Sequence, residues 1–241
     1  MTTTNGFGLT TWDEQNQTSK PQAPQADNSQ KIEFVRLKEG NNSLRIITAP
    51  AKYWFVKFED GKSQYGRRVN CAYPAVPRDE CPTVKAGYKP KKRYLTGVIV
   101  RNAEGEDEVK LFDMSVLVYE QLQAFKDDPE YGTPDQFDIN VRFNPKAASP
   151  GGFYTVIPRG KKPLSEEDQA LINDVGTDVI GENLTRLCTP PSVERVEGFL
   201  KKLGWDGSSK VESASAGGSS DGNLQEATPA NYSFDKPAAN A

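Results

Sequence analysis

Apolar and polar residues alternate in short runs through the middle of the chain. The clearest run is FDINVRF, where Phe137, Ile139, Val141 and Phe143 alternate with Asp138, Asn140 and Arg142. A period of two puts the first set on one face of a strand and the second set on the other. Residues 43–49, 52–59, 65–71, 93–102 and 108–114 also read as strands, from their β-branched and aromatic content. The turn-forming sequences EGNN, EDGK and NAEGED punctuate the series, and a Pro-Gly-Gly turn leads into a further strand at 152–158, predicting a hairpin.

Helical periods interrupt and then replace this pattern. Val118, Leu122 and Phe125 fall at i, i+4 and i+7 after Ser115. Ser165-Glu166-Glu167-Asp168 resembles a capping box, and Leu171, Val175 and Val179 continue it at helical spacing. A last helix is marked by Val196, Phe199, Leu200 and Leu203, opened by Pro190-Pro191-Ser192 and closed by Gly204. The pattern predicts a mainly β fold with a few helices. An OB-type barrel core would occupy 31–162, with a helical C-terminal part at 163–205. A β-sandwich fits less well, because it rarely needs the mid-chain helix.

Composition adds two tails. Hydrophobic residues make up only 36% of the 241, so part of the length is not expected to pack. Residues 1–30 are rich in Thr, Asn, Gln and Pro, and 206–241 read as a flexible, Ser/Gly-rich segment. Neither offers enough apolar surface to offset its chain entropy. No apolar run approaches the ~20 residues of a membrane-spanning helix. The N-terminus lacks the basic start and apolar stretch of a signal peptide. Three cysteines, an odd number, argue against a secreted disulfide framework and for a reducing cytoplasm.

The net charge of −3 conceals an uneven distribution. Residues 31–162 carry 23 Lys and Arg against 17 Asp and Glu, net +6, between a net −2 in 1–30 and a net −7 in 163–241. Between Lys52 and Arg101, 12 basic residues face four acids. A basic middle between acidic ends suits a polyanion ligand, although a solvated basic surface has the same composition.

Catalysis finds little support. The chain has no His, which excludes a His base, a His-based triad and His-ligated metal. It has no phosphate-loop, dinucleotide or nucleophile-elbow motif. Cys71, Cys81 and Cys188 lack the paired spacing of a zinc site and read as ordinary thiols, so no cofactor or metal is expected.

The positive signal is the interleaving of bases and aromatics. In KYWFVKF, alternation puts Tyr53, Phe55 and Lys57 on one face and Trp54, Val56 and Phe58 on the other. The face shared with Lys57 is the one expected at solvent, which makes Tyr53 and Phe55 platforms for bases. Lys52, Arg67, Arg68, Lys89, Lys91, Lys92, Arg93, Tyr94, Arg101 and Arg142 complete the expected binding set. Single strands need cations for the phosphates and flat rings on which unpaired bases stack, at ~1–3 kcal/mol each. That Tyr53, Tyr94 and Phe112 are instead barrel core stays open at this point.

The segments LKEGNNSLRIITAP, YWFVKFEDG, RRVNC, KPKKRYLTGVIVRN, EVKLFDMSVLVYEQLQAF, YGTPDQFDINVRF and GGFYTVIPRGKKPLSEED occur in this order between Leu37 and about Leu203. In them the chain resembles the phage single-stranded-DNA-binding proteins typified by the gene 32 protein of T-even phages. The resemblance implies an OB barrel with a basic, aromatic-lined cleft that coats single-stranded DNA in replication, recombination and repair. It would act in the cytoplasm of the infected host cell and reach replication or recombination proteins through its C-terminal tail. Lys89, Lys91, Lys92 and Arg93 match the family's basic run before a central strand, with Tyr94 at the aromatic position that follows. The chain departs from the family in two respects. It carries fewer Cys and His than members with a zinc subdomain, and residues 1–19 contain no Lys or Arg for cooperative self-association. Two other readings stay open on the residues alone: an OB-type protein-interaction module of a phage particle or assembly, and a single-stranded RNA binder.

Overall fold

The computed structural model describes residues 31–58, 67–102 and 105–207. The two expected tails, apart from Asp206 and Gly207, and the EDGK turn lie outside the described residues. Seven strands form one antiparallel sheet: β1 (Gly40–Ile46), β2 (Ala51–Phe58), β3 (Arg67–Asn70), β4 (Lys91–Val100), β5 (Glu108–Met114), β6 (Phe137–Phe143) and β7 (Tyr154–Lys161). The helices are α1 (Pro82–Lys85), α2 (Val116–Lys126), α3 (Glu166–Val175), α4 (Thr177–Cys188) and α5 (Val193–Lys202).

The sheet is built around β4. Its run from Tyr94 to Ile99 is buried at every position, the signature of a strand covered on both faces. One edge of β4 pairs with β5 from Tyr94 to Val100. The other edge is shared: Lys91–Leu95 pair with β2, and Val98–Val100 pair with β1. Where β1 gives way to β2, Thr48 fills the gap by accepting from the Gly97 N–H at 2.8 Å and from the Thr96 hydroxyl at 2.6 Å. Gly97 is required there, because a Cβ would stand 2.9 Å from the Ile180 side chain of α4.

The mainly β expectation holds, but the sheet does not close into a barrel. Its order is β3-β2-β4-β1-β6-β7, with β5 branching from β4. At β7 a side chain stands where a further strand would pair. The Gln121 amide of α2 accepts from the Val156 N–H at 2.8 Å and donates to the Tyr154 carbonyl at 3.3 Å. Both edge groups are thereby satisfied without another strand.

Three apolar clusters fix the faces. Tyr94, Val98, Phe112 and Met114 join β1, β6, Val156 and α2 on one face of the sheet. On the other face, Leu95, Ile99, Val109 and Leu111 pack against Ile172 of α3 and Ile180 and Leu184 of α4. A third cluster sets Val56 and Phe58 of β2 against Cys71, Cys81, Tyr88 and the α5 residues Val196 and Leu200. The capping box at Ser165 and Asp168 is present. The helical period that follows is two helices rather than one, broken at Gly176, whose φ of 86° ends α3 and opens α4. The four-residue α1 carries no apolar period and was not expected.

Candidate nucleic-acid interface

The register of β2, β3 and β4 sorts the expected binding residues onto two faces. Tyr53 lies opposite Arg93, Phe55 opposite Lys91, and Lys57 opposite Arg68, so all six share one face. Lys52 lies opposite Tyr94 and Trp54 opposite Lys92, and these four share the other face.

The first face is tied up internally. Asp113 of β5 accepts from the Tyr53 hydroxyl at 2.9 Å, from Arg68 at 2.9 Å and from Arg93 Nε at 2.7 Å. Burial, with the Asp113 charge beside it, pushes the Tyr53 hydroxyl well above the ordinary phenol range. Phe55 is 5% exposed, and the Arg68 guanidinium lies 5.1 Å from its ring centroid. The expectation that Tyr53 and Phe55 offer open platforms is therefore corrected. Phe55 is packed under an arginine, and the Tyr53 hydroxyl is held by a carboxylate.

The second face has rings beside cations. Tyr94 is buried and stacks on Tyr119 of α2, with centroids 3.6 Å apart and planes 9° off parallel. The Lys92 Nζ lies 5.8 Å from the Tyr94 ring centroid. Trp54 is half-buried and meets Tyr73 edge-on at 4.9 Å. Lys52 is exposed in the same row. Among the described residues no carboxylate forms an ion pair with Lys52, Lys57, Lys89 or Lys92. Burial moves the Tyr94 hydroxyl up to about 12. As the inner member of the stack, Tyr94 leaves Tyr119, Trp54 and Tyr73 to present ring surface.

The remaining expected residues are scattered. Lys57, Lys89 and Lys91 are exposed on or beside the same ribbon, and Arg67 lies in β3 opposite Phe58. Arg142 is exposed on β6, which is separated from β4 by β1. Arg101 is engaged elsewhere: it bonds Asp168, Asp107 at 2.8 Å and Asp138 at 3.4 Å. The Arg101 guanidinium holds the Asp168 carboxyl down at about 2. Its placement is that of a structural cation anchoring α3 to the sheet.

Sequence reasoning missed Asp113, Trp54, Tyr73 and Tyr119. Asp113 had a signal, as the one acid in the otherwise apolar period-two series Val109, Leu111, Asp113. Trp54 shares the parity of Lys52 but was assigned to the covered side. Nothing local marks Tyr119, whose partner Tyr94 comes from a different element. No group of three or more His, Cys, Asp or Glu among the described residues is placed to hold a metal ion, and no described helix is long and apolar enough to cross a membrane. No protein-family model, curated protein or solved structure matches the chain.

Proposed function

We propose that this protein binds single-stranded DNA with little sequence preference and does so without catalysis. The strand would run along the face of β2 and β4 that carries Lys52, Trp54 and Lys92. The observation that carries this reading is Lys92 lying over the Tyr94–Tyr119 stack, in one row with Trp54 and Lys52 and with no described carboxylate to neutralise it. Lysines act on phosphates as charges, and rings stack on any base, so the pairing yields affinity without base identity. The open sheet is read as an OB-type arrangement whose mouth is extended by the β2–β3 ribbon. The family resemblance adds a setting, the coating of single strands during phage replication, recombination and repair, and assigns protein partners to the C-terminal segment.

Titration of oligo-dT over a salt series tests the reading. Binding should weaken steeply with salt, with ~0.7 in the log–log slope for each phosphate neutralised. Trp54→Ala should remove ~1–3 kcal/mol of affinity at nearly constant slope, because stacking depends little on salt. A flat salt dependence, or a Trp54→Ala protein that binds like the wild type, rejects this interface. Oligo-U competing as well as oligo-dT would turn the reading towards RNA.

A further inference from the structure

Arg45 of β1 is 1% exposed, the bulkiest of the fully buried side chains described. It lies opposite Ile99 of β4, on the face of the sheet away from Lys52, Trp54 and Lys92. One terminal nitrogen of its guanidinium donates to the Lys162 carbonyl at 2.7 Å. The other lies 3.5 Å from Asp138, a carboxylate that Arg101 also reaches at 3.4 Å. Its Nε is buried with no hydrogen-bond partner among the described residues, and so is Oδ1 of Asp135. A buried donor or acceptor left unpaired costs about 1–3 kcal/mol, and folded proteins seldom leave one so. Both side chains line the same cavity. It lies between β1, the 3-10 turn Pro134–Gln136 and the segment that joins β7 to α3, and its volume is about 530 Å³.

We propose that this cavity binds a nucleoside monophosphate, the phosphate directed to Arg45, Lys161 and Lys162 and the base to Asp135. Its size falls within the roughly 300–1,000 Å³ of small-molecule sites. Three cations line it against one carboxylate, and among the described residues no acid forms an ion pair with Lys161 or Lys162. Arg45 is the one buried member of the lining and forms the floor; the two lysines are exposed at the rim. An anion held there would meet a fixed guanidinium below and mobile ammonium groups above. The unpaired Asp135 oxygen asks for a donor, which a bare phosphate dianion lacks. Guanine supplies two side by side, its N1–H and its exocyclic amine, and its acceptors suit the amides of Gln136 and Gln169. Thymine has one N–H flanked by two carbonyl oxygens, which a carboxylate repels. The site is separate from the DNA face, so the inference stands whether or not the protein binds DNA.

The test titrates the full-length protein with dGMP, dTMP, deoxyguanosine and inorganic phosphate in a calorimeter, each with and without saturating oligo-dT. dGMP should bind at one site, at least tenfold more tightly than each of the other three. Its binding should persist in oligo-dT, which carries no exocyclic amine and is expected on the other face. Changing Lys161 and Lys162 together to Ala should weaken dGMP about tenfold or more and leave deoxyguanosine unchanged, since about 1.4 kcal/mol is a factor of ten. Asp135→Asn should bring dGMP and dTMP closer in affinity. No saturable binding of dGMP to the wild type overturns the inference, as does dGMP binding no tighter than phosphate or dTMP. Displacement of dGMP by oligo-dT overturns it too, because the nucleotide would then occupy the DNA face. If a variant fails to fold, the wild-type ligand series alone decides.

Discussion

On one face of β4, Arg93 is held by Asp113, and just past the strand Arg101 is held by Asp107, Asp138 and Asp168. On the other, Lys92 lies over a tyrosine stack with Lys52 in the neighbouring strand, and no described acid pairs with either. The contrast follows from what covers each face. Helices α3 and α4 pack the arginine face, and a charge at the rim of an apolar cluster needs a partner at hydrogen-bond distance. The lysine face lies between two clusters rather than beneath one, so its ammonium groups reach water on long stems. The count of 12 basic residues between Lys52 and Arg101 therefore overstates the charge available to a polyanion, since Arg68, Arg93 and Arg101 are each already ion-paired.

The sharpest way to break this comparison is to exchange neighbours of opposite parity. Phe55→Ala should destabilise the fold by about 3–5 kcal/mol, the range for deleting a buried aromatic ring. Urea denaturation measures the loss, and the molecules that stay folded should bind oligo-dT nearly as before. Unchanged stability with weakened binding would return Phe55 to the role of base platform and reverse the assignment of the faces.

A smaller effect comes from the arginine network. Asp168 is nearly buried against Arg101, and its folded pKa of about 2 is below the ordinary carboxylate value of 3.8. A depressed acid contributes stability above its unfolded pKa and loses it as pH falls through the folded one. About 2 kcal/mol should therefore disappear between pH 4 and pH 2, by the ~1.4 kcal/mol per unit of linkage. Asp168→Asn should show less stability at pH 7 and a flatter decline across that window. Thermal melts at stepped pH decide it, and identical acid profiles for the two proteins would remove Asp168 from the account.

The sequence made the strands legible because their apolar alternation is local. β5 was placed without error, and β2, β4 and β6 within a residue or two at each end. The parity of β2 was also correct, since Trp54, Val56 and Phe58 do share one side. What could not be read was which side a ligand would meet. That depends on α4 and Asp113 closing over Tyr53 and on residues 71–90 packing with α5 beside Trp54, and both are contacts between distant segments. The OB-type barrel was inferred from strand number. Closure is set by edges, and at β7 the edge is met by Gln121, whose role no period in the sequence announces. The break at Gly176 was visible as a glycine within a helical pattern, but hydrophobic spacing alone runs straight through it.

The smallest expected difference is the most specific to the two faces. Lys92→Ala and Arg68→Ala each delete one positive charge from the same ribbon, so net charge alone predicts equal effects on DNA binding. The geometry predicts unequal ones. Lys92 has no described carboxylate partner, whereas Arg68 is already bonded to Asp113 at 2.9 Å and lies over Phe55. A cation that neutralises a phosphate releases a counterion, and its removal lowers the salt slope by ~0.7. A cation already neutralised by a carboxylate has little counterion to exchange, so removing it should leave the slope nearly unchanged. Its loss would act only through the screened field, which at ordinary ionic strength fades over about 8 Å. Arg68 is also the most suitable member of its face to remove, because its side chain is 55% exposed. Slopes measured with oligo-dT for the two variants should therefore differ by about one phosphate contact, Lys92→Ala showing the lower slope. Equal slopes would mean that DNA draws Arg68 away from Asp113, and that the strand reaches both faces of the ribbon.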